Sequence, residues 1–157
     1  MNPGRQKMEK VQGRPIEILA IEDCIGDTIL LKETLKSSKF VTRMNVIRDG
    51  ESALAYLGRL GASPSSPFPD LILLDLALPK TSGHEVLLGI KRNRRLNRIP
   101  VLVLTNSDED ADRLKAHNAH VDAYLLKPRD LFRYGELLEY LEKNWLKDVY
   151  VNDQKPN

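Results

Sequence analysis

Pro69-Asp70-Leu71-Ile72-Leu73-Leu74-Asp75-Leu76-Ala77-Leu78-Pro79 is the stretch from which the fold is read. Its four consecutive apolar residues, Leu71 to Leu74, show no polar alternation, so a strand built from them has both faces covered. Pro69-Asp70 precedes the run, and a turn with Pro79, followed by Gly83, ends it. A strand hidden on both faces belongs to a parallel sheet packed between helices. Asp75 then stands at the C-terminal end of that strand, the rim where open parallel sheets bind ligands.

Working outward, three more apolar runs end on polar residues that suit the same rim. Ile18-Leu19-Ala20-Ile21 leads into Glu22-Asp23, Val101-Leu102-Val103-Leu104 into Thr105, and Ala123-Tyr124-Leu125-Leu126 into Lys127-Pro128. The pattern predicts strands over 17–21, 43–48, 70–75, 100–105 and 123–126, alternating with helices over 27–37, 51–59, 82–93, 108–118 and 130–145. Five β-α repeats predict a doubly wound five-stranded parallel sheet in a three-layer α/β/α arrangement with right-handed crossovers. Residues 16–147 are expected to form the folded domain, between a mobile polar tail over 1–15 and a second tail over 148–157. The loop over 61–69, rich in Pro and Ser, reads as a connector and lacks the Gly-Lys-Ser/Thr pattern of a phosphate loop.

Composition narrows the function classes. At 157 residues, 41% hydrophobic and 29% charged, the chain suits a folded domain rather than a disordered one. A formal net charge of +2 is too small to imply nucleic-acid binding. The one basic cluster, Lys91-Arg92 with Arg94-Arg95, falls at a predicted helix C-terminus, where cations complement the macrodipole. No apolar run approaches the roughly 20 residues that span a bilayer, and the first residues carry no secretory signal. A single cysteine, Cys24, excludes an internal disulfide and fits a reducing cytoplasm.

Glu22, Asp23 and Asp75 place three negative charges on neighbouring strand ends. Two such charges 4 Å apart repel by about 4 kcal/mol at an effective dielectric of 20, so the cluster calls for a cation or raised pKa values. Hard oxygen donors with open positions suit Mg²⁺. Thr105 can donate its hydroxyl to a phosphoryl oxygen, and Lys127 can serve as a compact cation for a carboxylate or a phosphoryl group. A cis Lys127-Pro128 bond would aim the lysine inward. His84, His117 and His120 form no metal set: His117 and His120 share one side of an expected helix end, with no third ligand beside them.

Together, Glu22-Asp23, Leu74-Asp75 with Pro79 and Gly83, Leu104-Thr105 and Lys127-Pro128 closely resemble the receiver domain of two-component response regulators, the CheY-like (flavodoxin-like) fold. The resemblance implies that Asp75 is the phosphoacceptor, loaded from a phosphohistidine of a sensor histidine kinase in a Mg²⁺-dependent reaction. It implies Asp23 as a metal ligand, Glu22 as a ligand through water, and the Ala77 backbone carbonyl completing the set with Asp75. Thr105 and Lys127 would bind the phosphoryl group, and Thr105 with Tyr124 would form the switch. The loop before Asp70, Leu104-Thr105-Asn106-Ser107 and Asn144-Trp145-Leu146 resemble more narrowly the single-domain regulators paired with bacterial phytochromes.

Three positions depart from the common pattern. Ala77 replaces a side chain that is often polar, Asn106 is larger than usual, and the turn over 118–122 lacks the usual glycine. None of these removes a reacting group. The resemblance implies output by protein contact, and no enzymatic activity beyond self-phosphorylation and its reversal. Tyr140, Trp145 and Leu146 supply apolar area for docking or for a homodimer through the 108–146 face. Two rivals remain: a receiver-like scaffold that works without phosphorylation, and a haloacid-dehalogenase-like phosphatase. The second requires another aspartate where Ala77 stands.

Overall fold

The computed structural model describes residues 11–62, 67–106, 121–130 and 133–154. Its elements run β1 (Val11–Ile21), α1 (Ile25–Lys36), β2 (Phe40–Ile47), α2 (Gly50–Arg59), β3 (Leu71–Asp75), α3 (Gly83–Arg92), β4 (Val101–Thr105) and β5 (Ala123–Leu126). They end with α4 (Arg133–Leu141), a π-helical turn (Glu142–Leu146) and α5 (Lys147–Gln154). The helix expected over 108–118 lies outside the described residues.

The five strands are all parallel, in the order β2-β1-β3-β4-β5. After β1 the chain crosses first to one side and then to the other, so β1 and β3 flank the point where strand order reverses. A crevice opens at that point beyond the strand ends.

The apolar run of β3 divides between two cores, as strand alternation requires. Ile72 and Leu74 pack with Ala53 and Leu57 of α2 and Val86, Leu87 and Ile90 of α3. Leu71 and Leu73 pack with Leu31 and Leu35 of α1 and Leu137, Leu138 and Leu141 of α4. Each such aliphatic side chain contributes about 1.5–3 kcal/mol relative to exposure. Both faces of β3 are therefore committed, and only its end remains for chemistry.

Local signals start the helices on the α2–α3 side. Asp49 accepts the Ser52 amide at 2.7 Å ahead of α2, and Ser82 accepts the Glu85 amide at 3.3 Å ahead of α3. Each cap is followed by a first-turn acid, Glu51 or Glu85, and the helices close on Arg59 or on Lys91 and Arg92.

Both termini are more ordered than a pair of polar tails. Residues 11–15 extend β1, with Val11 opposite Phe40 and a register shift before Ile16. Pro15 falls in this irregular part, before β1 acquires β3 as its second neighbour at Ile18, so its missing N–H breaks no ladder there. Residues 148–154 are helical rather than a tail: Tyr150 packs on Phe40 with ring centroids 5.6 Å apart. Arg14 joins the two ends, with forked hydrogen bonds of 2.8 Å to both carboxylate oxygens of Asp70 and an ion pair of 2.9 Å to Asp153. Polar composition hid these elements because long-range contacts hold them: the Arg14 ion pairs, and Val149 and Tyr150 packed against the core.

Leu146, expected to offer surface for a partner, is instead fully buried in the α1–α4 core. Trp145 and Tyr140 are partly buried against the same core, the indole N–H donating to the Tyr140 hydroxyl at 3.4 Å. The π-helical turn sits where they pack, and Glu142 at its start accepts from the Ser38 hydroxyl and the Lys39 amide, both at 3.0 Å.

Candidate functional site

Asp75 closes β3 between β1 and β4 and is 6% exposed. Its position depends on Gly83. A Cβ there would come within 2.5 Å of the Asp75 carbonyl oxygen and the Leu76 Cα, so only glycine lets α3 begin this close to the strand end. The Gly83 amide donates to the Leu76 carbonyl at 3.2 Å, closing the turn. Within the turn, Lys80 adopts a left-handed backbone at φ 66°, a conformation uncommon outside glycine. The Ala77 amide donates to Asp75 Oδ1 at 3.1 Å and orients the carboxylate.

The end of β1 brings the other two acids. The Glu22 amide donates to the Ile47 carbonyl at 2.9 Å, extending the pairing with β2 past the strand. The Glu22 carboxylate turns inward and accepts the Cys24 amide at 3.1 Å, while Asp23 stays exposed. One oxygen from each of Glu22, Asp23 and Asp75 lies within 4.8 Å of the others.

β4 and β5 supply the remaining corner. Thr105 ends β4 and is buried, and its carbonyl accepts the Lys127 amide at 2.8 Å. That bond extends the β4–β5 ladder and carries Lys127 over the rim. No cis bond is needed to aim it, because the Lys127–Pro128 peptide is trans. The buried ammonium lies 2.6 Å from Glu22 Oε2, 3.1 Å from Asp27 Oδ2 and 3.3 Å from Asp75 Oδ2. Tyr124, the residue assigned to the switch by resemblance, sits in β5 opposite Val103 and packs at the edge of the α2–α3 core. Burial raises the pKa of its phenol.

One ammonium does not balance these acids. Among the described residues, Glu22, Asp23, Asp27 and Asp75 carry four formal negative charges against the one ammonium of Lys127, leaving an excess of three. Burial pushes the Glu22 carboxyl up to about 7, with Asp75 adding to the effect and Lys127 opposing it. Burial alone would favour a neutral Lys127, but Glu22, Asp75 and Asp27 overcome it and hold the ammonium charged, its pKa above the ordinary lysine value. The donor set at Glu22, Asp23 and Asp75 is all oxygen, anionic in excess and open on the Asp23 side, which fits a hard divalent cation.

Asp27 is the site residue that the sequence did not flag. An acid in the first turn of a helix reads as a complement to the macrodipole, and nothing local links it to a lysine 100 residues away. Its place in the first turn of α1, four residues after Asp23 in sequence, is the one local signal that it lies near the same rim. Behind the site, Tyr134 of α4 lines the same hollow as Asp27, Asp75 and Lys127, and burial raises the pKa of its phenol, with Asp27 adding to it.

Comparison with known proteins gives a consistent result. Residues 18–142 match the family model described as the response regulator receiver domain. Response regulator Rcp1 of Synechocystis is 43% identical over 135 residues, covering 86% of this chain and 92% of that protein. The crystal structure of its Mn²⁺-bound form superposes with a TM-score of 0.74 over 85% of this chain and 96% of that one. The phosphorylated cyanobacterial phytochrome response regulator RcpA is 37% identical, with a TM-score of 0.76 and the same coverage of the two chains. A receiver domain of a Pseudomonas aeruginosa sensor histidine kinase, crystallised with magnesium in its active-site cleft, is 26% identical and has a TM-score of 0.62, covering 80% of this chain and 95% of that one.

Proposed function

This chain belongs to the response regulator receiver domain family, and from that premise we propose that it accepts a phosphoryl group on Asp75 from a sensor histidine kinase. The observation that carries the reading is the setting of the Asp75 carboxylate, oriented by the Ala77 amide and 3.3 Å from a buried ammonium within an acid trio. Glu22, Asp23 and Asp75, with the Ala77 carbonyl by family resemblance, would hold Mg²⁺. When bound, the ion supplies positive charge against the oxygens of the transferred group.

The chain's own residues do the rest by position and charge. Phosphoryl transfer spreads negative charge over the moving oxygens, so a fixed cation at the right corner lowers the barrier. Lys127 is such a cation, kept charged across the physiological range and delivered by the end of β5. By family resemblance, Thr105 at the buried end of β4 would donate its hydroxyl to the same group, and Tyr124 of β5 would respond to it. Phosphorylation adds about −1.5 to −2 charge, and this biases the β4–β5 side of the rim. A complete shift from 1:99 to 99:1 takes about 5.5 kcal/mol, so a partial shift is the expected response.

The phytochrome association named for RcpA, and the relation to Rcp1, support a bacterial phytochrome as the kinase. We place the protein in the cytoplasm, where such a kinase domain resides; among the described residues no helix is long and apolar enough to cross a membrane. Output runs through protein contact, with a homodimer across the 108–146 face as one form of it. Leu126, 51% exposed on β5, lies on the described part of that face. The deciding experiment is phosphotransfer from the autophosphorylated kinase in the presence of Mg²⁺. Wild type should acquire one acid-labile phosphoryl group and Asp75→Asn none; equal labelling of the variant would remove Asp75 from the role.

A further inference from the structure

Lys127 is surrounded by carboxylates, and Asp27 accepts a hydrogen bond from its ammonium at 3.1 Å. An ammonium has three N–H donors, and its nitrogen faces Glu22, Asp27 and Asp75 at 2.6, 3.1 and 3.3 Å. Two of these partners belong to the trio that fits a divalent ion, whereas Asp27 does not. Asp27 comes from the first turn of α1, away from the strand ends, with its side chain 32% exposed.

We propose that Asp27 is a positioning residue that restrains Lys127, drawing the ammonium toward α1 and slowing phosphoryl transfer to Asp75. The inference rests on the reading of Asp75 as phosphoacceptor. In that transfer a bond forms between an Asp75 carboxylate oxygen and phosphorus while the bond from phosphorus to the leaving group breaks. With acetyl phosphate as donor, acetate departs and an acyl phosphate remains on Asp75. To donate to the arriving oxygens, Lys127 must turn from the carboxylates that surround it, and Asp27 holds it by a hydrogen bond. Asp75 gives up its carboxylate charge on phosphorylation and Glu22 faces the ion site, so Asp27 persists as the ionic competitor at 3.1 Å. Asparagine at this position keeps shape and an acceptor oxygen but removes the charge that offsets the lysine.

The test measures initial rates of adduct formation by intact-mass spectrometry, with acetyl phosphate and saturating Mg²⁺. The proteins are wild type, Asp27→Asn, Asp27→Ser, Asp27→Glu, Lys127→Met and Asp27→Asn combined with Lys127→Met. Asp27→Asn and Asp27→Ser should react about two- to fivefold faster, the scale of a partly exposed ion pair, and Asp27→Glu should stay near wild type. The gain should shrink by more than half when Lys127 is absent. Should Lys127→Met react too slowly to measure, the ¹H-¹⁵N resonance of the Lys127 ammonium decides: beryllofluoride must shift it further in Asp27→Asn than in wild type. An unchanged or slower Asp27→Asn, an equal gain without Lys127, or equal shifts would each overturn the inference. If wild type forms no adduct that Asp75→Asn lacks, the phosphoacceptor reading itself falls. If it does and only the Asp27 effects are missing, that reading stands and this inference alone is lost.

Discussion

Replacing Lys127 by methionine tests the electrostatic account of the site most directly. Methionine preserves much of the side-chain stem and its packing but removes the charge. In the metal-free protein at pH 8 this leaves Glu22, Asp75 and Asp27 around an uncompensated hollow. Carboxylate oxygens of Glu22 and Asp75 up to 4.8 Å apart repel by about 3.5 kcal/mol at an effective dielectric of 20. That agrees with the cost of about 3–5 kcal/mol for removing one partner of a buried ion pair. At about 2–4 °C per kcal/mol for a chain of this size, the melting temperature should fall by roughly 6–20 °C. The loss must then depend on conditions. At pH 5.5 Glu22, whose carboxyl is pushed up to about 7, is protonated and one repelling charge is gone, so the penalty should at least halve. Millimolar Mg²⁺ at pH 8 should recover it similarly by replacing the lost positive charge. The assay is chemical and thermal denaturation of both proteins at the two pH values, with chelator or with Mg²⁺. A penalty identical in all four conditions would refute the reasoning and assign the loss to packing.

Glu22 makes Mg²⁺ binding compete with a proton: because its pKa is raised, the site is partly protonated below about pH 7. Calorimetric titration should show the apparent affinity weakening up to about tenfold per pH unit below 7, and Glu22→Gln should flatten that profile. The same raised pKa means that the contribution of Glu22 to metal-free stability declines as pH climbs from 4.5 to 7 and then levels off; a wild-type minus Glu22→Gln stability difference that rises over that window would contradict the assignment. Gly83→Ala forces a Cβ against the Asp75 carbonyl and the Leu76 Cα, so stability should drop by about 1–3 kcal/mol and Mg²⁺ affinity with it, read by urea unfolding and calorimetry. Arg14→Ala should cost no more than about 1 kcal/mol overall, since Arg14 is half exposed, yet should accelerate amide exchange across α5; unchanged exchange there would show that the Asp153 contact does not hold the helix.

Much of this molecule was legible in one dimension. The unalternating run Leu71 to Leu74 announced a strand covered on both faces, and the same logic placed β4, β5 and the C-terminal end of β1 within a residue of where they lie, while missing the first six residues of β1. The rim acids, Thr105 and Lys127 were readable because each directly follows an apolar run, and a strand end is a position that chain order alone specifies. The ordered termini were not legible, since Arg14 meets Asp153 across 139 residues and neither segment carries an apolar period. The burial of Leu146 was equally hidden, because whether an apolar residue near the end of a helix covers the core or faces outward depends on the turn that precedes it.

What the sequence determined by itself is therefore the order of covered strands and the chemical groups at their ends, because strand alternation and turn residues act between near neighbours. Only the tertiary structure decided how those groups share charge: that Lys127 is held by three carboxylates, that Asp27 is one of them, and that Glu22 is buried enough to hold a proton near neutrality. Charge and desolvation act through space, and the distances that set them exist only once α1, β3 and β5 have packed.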